Sequence, residues 1–166
     1  MKYSAAFESA FERTLALEGG YSDDPNDPGG ETRWGISKRA YPNEDIKHLT
    51  VEQAKAIYYR DYWRAVGGNE IRGDVAAELF DTAVNMGVRT AIEFAQEACN
   101  YLGASLAADG VLGPQTIRAL VRNTSPDLLK VLNGLQLCRY VELVRQHPPR
   151  QRYARGWLKR IQVVPI

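Results

Sequence analysis

The sequence is poor in cysteine and histidine and has no large excess of either charge. Its two cysteines, Cys99 and Cys138, lie far apart and in no CxxC spacing; its two histidines are His48 and His147. These four residues show no zinc spacing, so no metal or other cofactor is expected. Both cysteines read as small buried hydrophobes in helices. No uninterrupted apolar run approaches the roughly 20 residues needed to cross a bilayer. The start of the chain, Met1-Lys2-Tyr3-Ser4-Ala5-Ala6-Phe7-Glu8, meets an acid before any apolar core forms. A Sec signal peptide is therefore not expected. Internal repeats and low-complexity tracts are also absent from the sequence.

What is there is an ordinary globular mixture. The chain has 166 residues, 45% of them hydrophobic and 25% charged. A chain of this size buries roughly 70% of its unfolded surface without staples. The net charge of +1 is unevenly spread: residues 1–93 carry −5 and residues 94–166 carry +6. Most of the excess is in Arg139, Arg145, Arg150, Arg152, Arg155, Lys159 and Arg160, with Glu142 the only acid among them. Such a basic tail suits an anionic partner, or else is a solvated helix face. Nucleic acid is the weakest candidate, because no groove-reading motif appears and residues 1–93 are net negative.

The pattern is mainly helical. Phe7, Phe11 and Leu15 recur at four-residue spacing, beside Ala10, Thr14 and Leu17, and Gly19-Gly20 ends that helix. Residues 21–37 are dense in proline, glycine and Asx yet carry Trp34 and Ile36. They read as an ordered loop or small β-hairpin rather than a linker. Thr50-Val51-Glu52-Gln53 is a capping box, and Thr90-Ala91-Ile92-Glu93 reads as another, its helix ending at Gly103. Asp74 is expected to cap the helix between them. Pro114 suits the first helical position after Gly113, and Ser125-Pro126 opens the longest helix, which Pro148-Pro149 ends.

Glu18 stands out chemically. It closes a helix just before two glycines, where the negative end of the helix dipole and a partly apolar setting favour the protonated carboxyl. Such a group can act as general acid. The glycines let a substrate approach it closely. The next fourteen residues deliver Asp23, Asp24, Asp27 and Thr32. A glycosidase needs one protonated acid at the leaving oxygen and a second group near the anomeric carbon. A calcium loop starting at Asp24 fails, because its twelfth position is Gly35 where glutamate is required.

Glu18-Gly19-Gly20-Tyr21 followed by Asp24-Pro25-Asn26-Asp27-Pro28-Gly29-Gly30-Glu31-Thr32-Arg33-Trp34-Gly35-Ile36-Ser37 resembles the signature of glycoside hydrolase family 108. These are N-acetylmuramidases of phage endolysins and secretion-associated lysozymes. Phe80-Asp81-Thr82-Ala83-Val84-Asn85-Met86-Gly87 resembles the family's second block. Asp109-Gly110-Val111-Leu112-Gly113-Pro114-Gln115-Thr116 resembles the peptidoglycan-binding segment that usually follows. The resemblance implies a lysozyme-like fold and peptidoglycan as partner, with residues 1–93 as catalytic region and 94–166 packed on it as one compact unit. It places the essential acid on Glu18. By analogy with phage-type lysozymes, Asp27 and Thr32 face it, with Asp24 the rival to Asp27.

Tyr21 and Trp34 either stack on sugars or belong to the core. Asn85 is a candidate substrate contact, and Asp81 a structural hydrogen-bonder. A monomer is expected, made in a host cytoplasm and acting on the wall after release. A lytic transglycosylase and a non-catalytic wall-binding protein are the alternatives.

Overall fold

In the computed structural model, residues 2–17, 20–23 and 30–161 are described. Two compact units divide the chain, Met1–Asp61 and Tyr62–Ile166.

In the first unit the four-residue apolar spacing forms α1 (Ala5–Leu17), with Phe7, Ala10 and Phe11 buried. Thr50 and Gln53 make the expected capping box of α2 (Val51–Tyr58), exchanging bonds of 3.2 and 2.8 Å. The two helices meet through aromatic rings: Tyr58 packs edge-on to Phe11 with centroids 5.6 Å apart, and Tyr59 edge-on to Phe7 at 5.0 Å. Edge-to-face pairs at such distances add to the gain from burial alone. Lys55 Nζ lies 2.5 Å from the Glu8 carboxylate. Between the helices, β1 (Thr32–Arg33) and β2 (Ile36–Ser37) form the antiparallel hairpin expected near residues 21–37. α2 runs on into a π-helical turn, Tyr59–Trp63.

The second unit is helical. It holds α3 (Gly73–Met86), α4 (Val88–Tyr101), α5 (Pro114–Arg122), α6 (Asp127–Gln146), a 3-10 segment Pro148–Tyr153 and α7 (Ala154–Leu158). Its core includes Leu79 and Phe80 of α3, Ile92 and Ala95 of α4, Leu120 of α5, and Leu128 and Leu132 of α6. Pro114 opens α5 after Gly113 as expected. Ser125 Oγ accepts the Asp127 N–H at 3.1 Å where α6 begins.

Two caps differ from expectation. Asp74 sits inside the first turn of α3, which starts at Gly73; its carboxylate accepts the Val75 N–H and pairs with Arg72. Thr90 caps nothing, because Gly87 (φ 92) ends α3 and α4 begins at once at Val88. Glu93 is thereby one turn beyond Arg89 and pairs with it at 2.9 Å. Cys99 is buried as expected, but Cys138 is exposed on α6. Among the described residues, no helix is long and apolar enough to cross a membrane.

The basic tail is partly built into the unit. Trp157 stacks on Tyr140, with rings 9° from parallel and centroids 5.0 Å apart. Arg160 Nη1 lies 2.9 Å from Asp81 Oδ1, and their side chains are 9% and 1% exposed. One of the cations counted for an anionic partner therefore faces a buried carboxylate, and Asp81 is the structural hydrogen-bonder the sequence suggested. Breaking a buried pair strands the other charge, typically at about 3–5 kcal/mol. Arg160→Ala should therefore lower stability by about that much in urea unfolding. Arg160→Ala with Asp81→Ala should cost clearly less than the sum of the two single substitutions. Strict additivity would show that the pair is not coupled.

Candidate functional site

The hairpin is built around a two-residue turn. Arg33 faces Ile36 across the ladder, which leaves Trp34 and Gly35 as its centre. Both have positive φ, 54° and 76°. That requirement of a type I′ turn suits Gly35, whereas in Trp34 it is strained, at a cost on the order of 1–3 kcal/mol. Trp34 is held there by two bonds. Its indole N–H donates to the Leu49 carbonyl at 3.1 Å, and its own carbonyl accepts the Tyr58 hydroxyl at 3.0 Å. The Arg33 guanidinium lies over the Trp34 ring and donates to the Lys47 carbonyl.

On the other side of β1, Ser22 and Thr32 exchange both backbone bonds, at 2.9 and 2.8 Å. This anchors Tyr21 beside the hairpin. Tyr21 is exposed, and its hydroxyl donates to Glu31 Oε1 at 2.9 Å. That hydrogen bond to a carboxylate holds its phenol above the usual range. The Thr32 hydroxyl donates to the Gly30 carbonyl at 3.0 Å. Its one donor is thus committed, and its lone pairs remain as acceptors.

Of the predicted site residues, the hairpin brings together Tyr21, Thr32 and Trp34. Glu18, Asp24 and Asp27 lie outside the described residues. Asn85 is near the end of α3 in the second unit, where its side-chain carbonyl accepts the Tyr140 hydroxyl at 3.0 Å. Burial first, and then the Asp81 charge, push the Tyr140 phenol well above its ordinary range, so it stays a donor. Glu31 had appeared only as a letter in the motif; an acid next to a bridge residue gives no local sign that it will hold a tyrosine ten residues back.

In the second unit the Asp109–Thr116 stretch is organised by Gln96 of α4, a residue no motif marks. Gln96 is 2% exposed. Its amide nitrogen lies 2.9 Å from Asp109 Oδ1, 3.1 Å from the Val111 carbonyl and 3.2 Å from Thr116 Oγ1. Its carbonyl accepts the Gly110 N–H at 2.9 Å. Gly110 has φ 70°, and a Cβ there would come within 2.6 Å of Arg89. Asp and Thr of this motif are thus spent on fastening the loop, and its first glycine on approaching α4.

A mainly helical chain with a short antiparallel hairpin is the lysozyme-like architecture. Residues 11–87 match the family model Glycosyl hydrolase 108, and residues 90–162 match that of the Predicted Peptidoglycan domain. Residues 11–87 are thus a glycosyl hydrolase family 108 region, followed by a predicted peptidoglycan-binding segment at residues 90–162. It is similar to the structure of SagA from Brucella abortus, with a TM-score of 0.75 and 28% identity over 93% of this chain and 88% of that one. A search of curated proteins gives no match. The chain is a glycoside hydrolase that acts on peptidoglycan.

Gln96→Leu keeps the apolar bulk but strands the Gly110 N–H, at about 1–3 kcal/mol for an unsatisfied buried group. Urea unfolding should show a loss of that size. The Val111 N–H and the Gln96 amide hold the Asp109 carboxylate below its usual range. Its contribution is therefore present above the ordinary aspartate value and lost as pH falls below about 4. Asp109→Asn should flatten the acid limb of stability in that window; an unchanged acid limb would contradict the assignment.

Proposed function

We propose that the protein is a lysozyme, cleaving the β-1,4 bond between N-acetylmuramic acid and N-acetylglucosamine. The observation that carries this reading is the family 108 match across residues 11–87, a stretch containing Glu18-Gly19-Gly20-Tyr21 and the whole hairpin. Glu18 donates its proton to the leaving oxygen as the glycosidic bond breaks. Water adds to the anomeric carbon and its proton passes to the second carboxylate, Asp27 in preference to Asp24. Thr32 supports this role: with its hydroxyl proton given to Gly30, it can accept a bond from the attacking water. Tyr21 offers an exposed ring for a sugar face. Trp34 and Asn85 are proposed as further substrate contacts.

In this reading residues 1–93 cut and residues 94–166 hold the wall. The protein is a monomeric phage endolysin, made in the host cytoplasm and acting on the wall after release. The cations of its tail, Arg160 excepted, contact an anionic envelope. No metal or organic cofactor takes part.

The test is release of soluble fragments from purified sacculi by the wild type and by Glu18→Gln. Loss of the general acid should slow release by about 10²- to 10⁴-fold. Sedimentation with sacculi and the circular dichroism spectrum should be unchanged. A folded Glu18→Gln protein that releases fragments at the wild-type rate would contradict the assignment. No release by either, with binding kept by both, would mean a wall-binding protein.

A further inference from the structure

The second unit carries a groove that the glycosidase chemistry does not use. It is about 690 Å³ in volume and runs along the C-terminal end of α4, the loop after it, α5 and the segment leading to α6. That volume is within the range of small-molecule sites, roughly 300–1,000 Å³. Its lining includes the apolar side chains of Leu102, Leu106 and Ala119. Its charge is of one sign: Arg118 and Arg122 line it, and no aspartate or glutamate does. The two arginines are one turn apart on α5, so their side chains rise from the same face about 6 Å apart. Both are exposed, and neither has an ion-pair partner among the described residues.

The far wall is set in advance. Arg72 donates to the Thr124 carbonyl at 3.0 Å, and the Asn123 side-chain carbonyl accepts the Ser125 N–H at 3.1 Å. A prearranged rim lowers the ordering cost of binding. The loop that starts α5 is fixed by Gln96, so the arginines are carried by a braced helix.

The geometry points to this groove as a binding site for the carboxylates of peptidoglycan stem peptides. This rests on the assignment of residues 90–162 to peptidoglycan, and adds which part of the polymer they hold. The glycan itself gives the arginines little to pair with: its hydroxyls and acetamides are neutral, and the lactyl acid of muramic acid is consumed where a peptide is attached. A stem peptide offers free carboxylates spaced along a short chain, with alanine methyl groups between them. Guanidinium forks suit the first and the apolar lining residues the second.

The test uses the full chain carrying Glu18→Gln, so that the wall is not consumed, compared with the same chain carrying also Arg118→Gln and Arg122→Gln. Three probes are titrated: a purified disaccharide-tetrapeptide, glycan strands stripped of peptide by an amidase and with the lactyl carboxylates so freed blocked as amides, and vesicles containing phosphatidylglycerol. Sacculus sedimentation is measured alongside, and thermal unfolding confirms that the variant is folded. The disaccharide-tetrapeptide should bind the parent, and the double substitution should weaken it by at least about tenfold. Stripped glycan should be affected little. Arg118→Lys with Arg122→Lys should recover part of the loss, because charge returns without the fork.

Equal binding of the tetrapeptide by parent and variant would overturn the proposal. So would an equal loss toward stripped glycan, which would make the ligand a sugar. Vesicle binding lost in the variant, with no tetrapeptide binding by the parent, would reassign the groove to lipid. If the parent does not sediment with sacculi at all, the peptidoglycan assignment itself fails. If parent and variant sediment alike and bind the tetrapeptide alike, only the groove proposal fails.

Discussion

One buried amide organises the second unit. Gln96 is 2% exposed in the middle of α4, and both ends of its side chain are engaged. An amide placed there without partners would cost several kilocalories, so the loop from Asp109 to Thr116 must come to it. That requirement fixes the loop, and with it the start of α5 at Pro114 and the positions of Arg118 and Arg122. Asp109, Gly110 and Thr116 thus have a physical role that involves no ligand. They fix the start of the helix that carries Arg118 and Arg122.

The first unit stores its constraint in a turn. Trp34 is held at positive φ by partners on either side, the Leu49 carbonyl and the Tyr58 hydroxyl. Strain of this kind persists only where the surroundings over-determine it, and it gathers at working sites. Here the two bonds that hold Trp34 offset that strain and support a hairpin just two residues deep per strand, which by itself would be marginal in water. The Ser22–Thr32 bridge extends that hairpin and places Tyr21, Glu31 and Thr32 along it.

Much of this was legible from the residues, and the failures have physical causes. The Thr50 box was found because both of its bonds are local. The Thr90 box has the same pattern, but Gly87 caps the helix three residues early and puts Thr90 inside it. Asp74 was misplaced for the same kind of reason, α3 having begun one residue before it. The hairpin's place followed from its turn residues and its two apolar side chains. Its left-handed Trp34 did not, because tryptophan gives no sign of positive φ. Arg160 read as one cation among many, since its partner Asp81 is 79 positions away and nothing local pairs them. Gln96 was invisible for the same reason: a lone glutamine on a helix is ordinary until the loop 13 residues on reaches it. Glu18 and Asp27 remain proposals argued from the sequence and the family.

The proposed reaction is the cutting of one particular bond with water. The direct measurement is the chemistry of the new ends in the fragments it releases from purified peptidoglycan, read by borohydride reduction and mass spectrometry. That reaction leaves N-acetylmuramic acid at the reducing end, one water heavier than the anhydro form and reducible by borohydride. Ends in the 1,6-anhydro form would show that the hydroxyl of the sugar, not water, takes the anomeric carbon. Reducing N-acetylglucosamine ends would show that the other glycosidic bond is cut. Either result would contradict the proposed reaction.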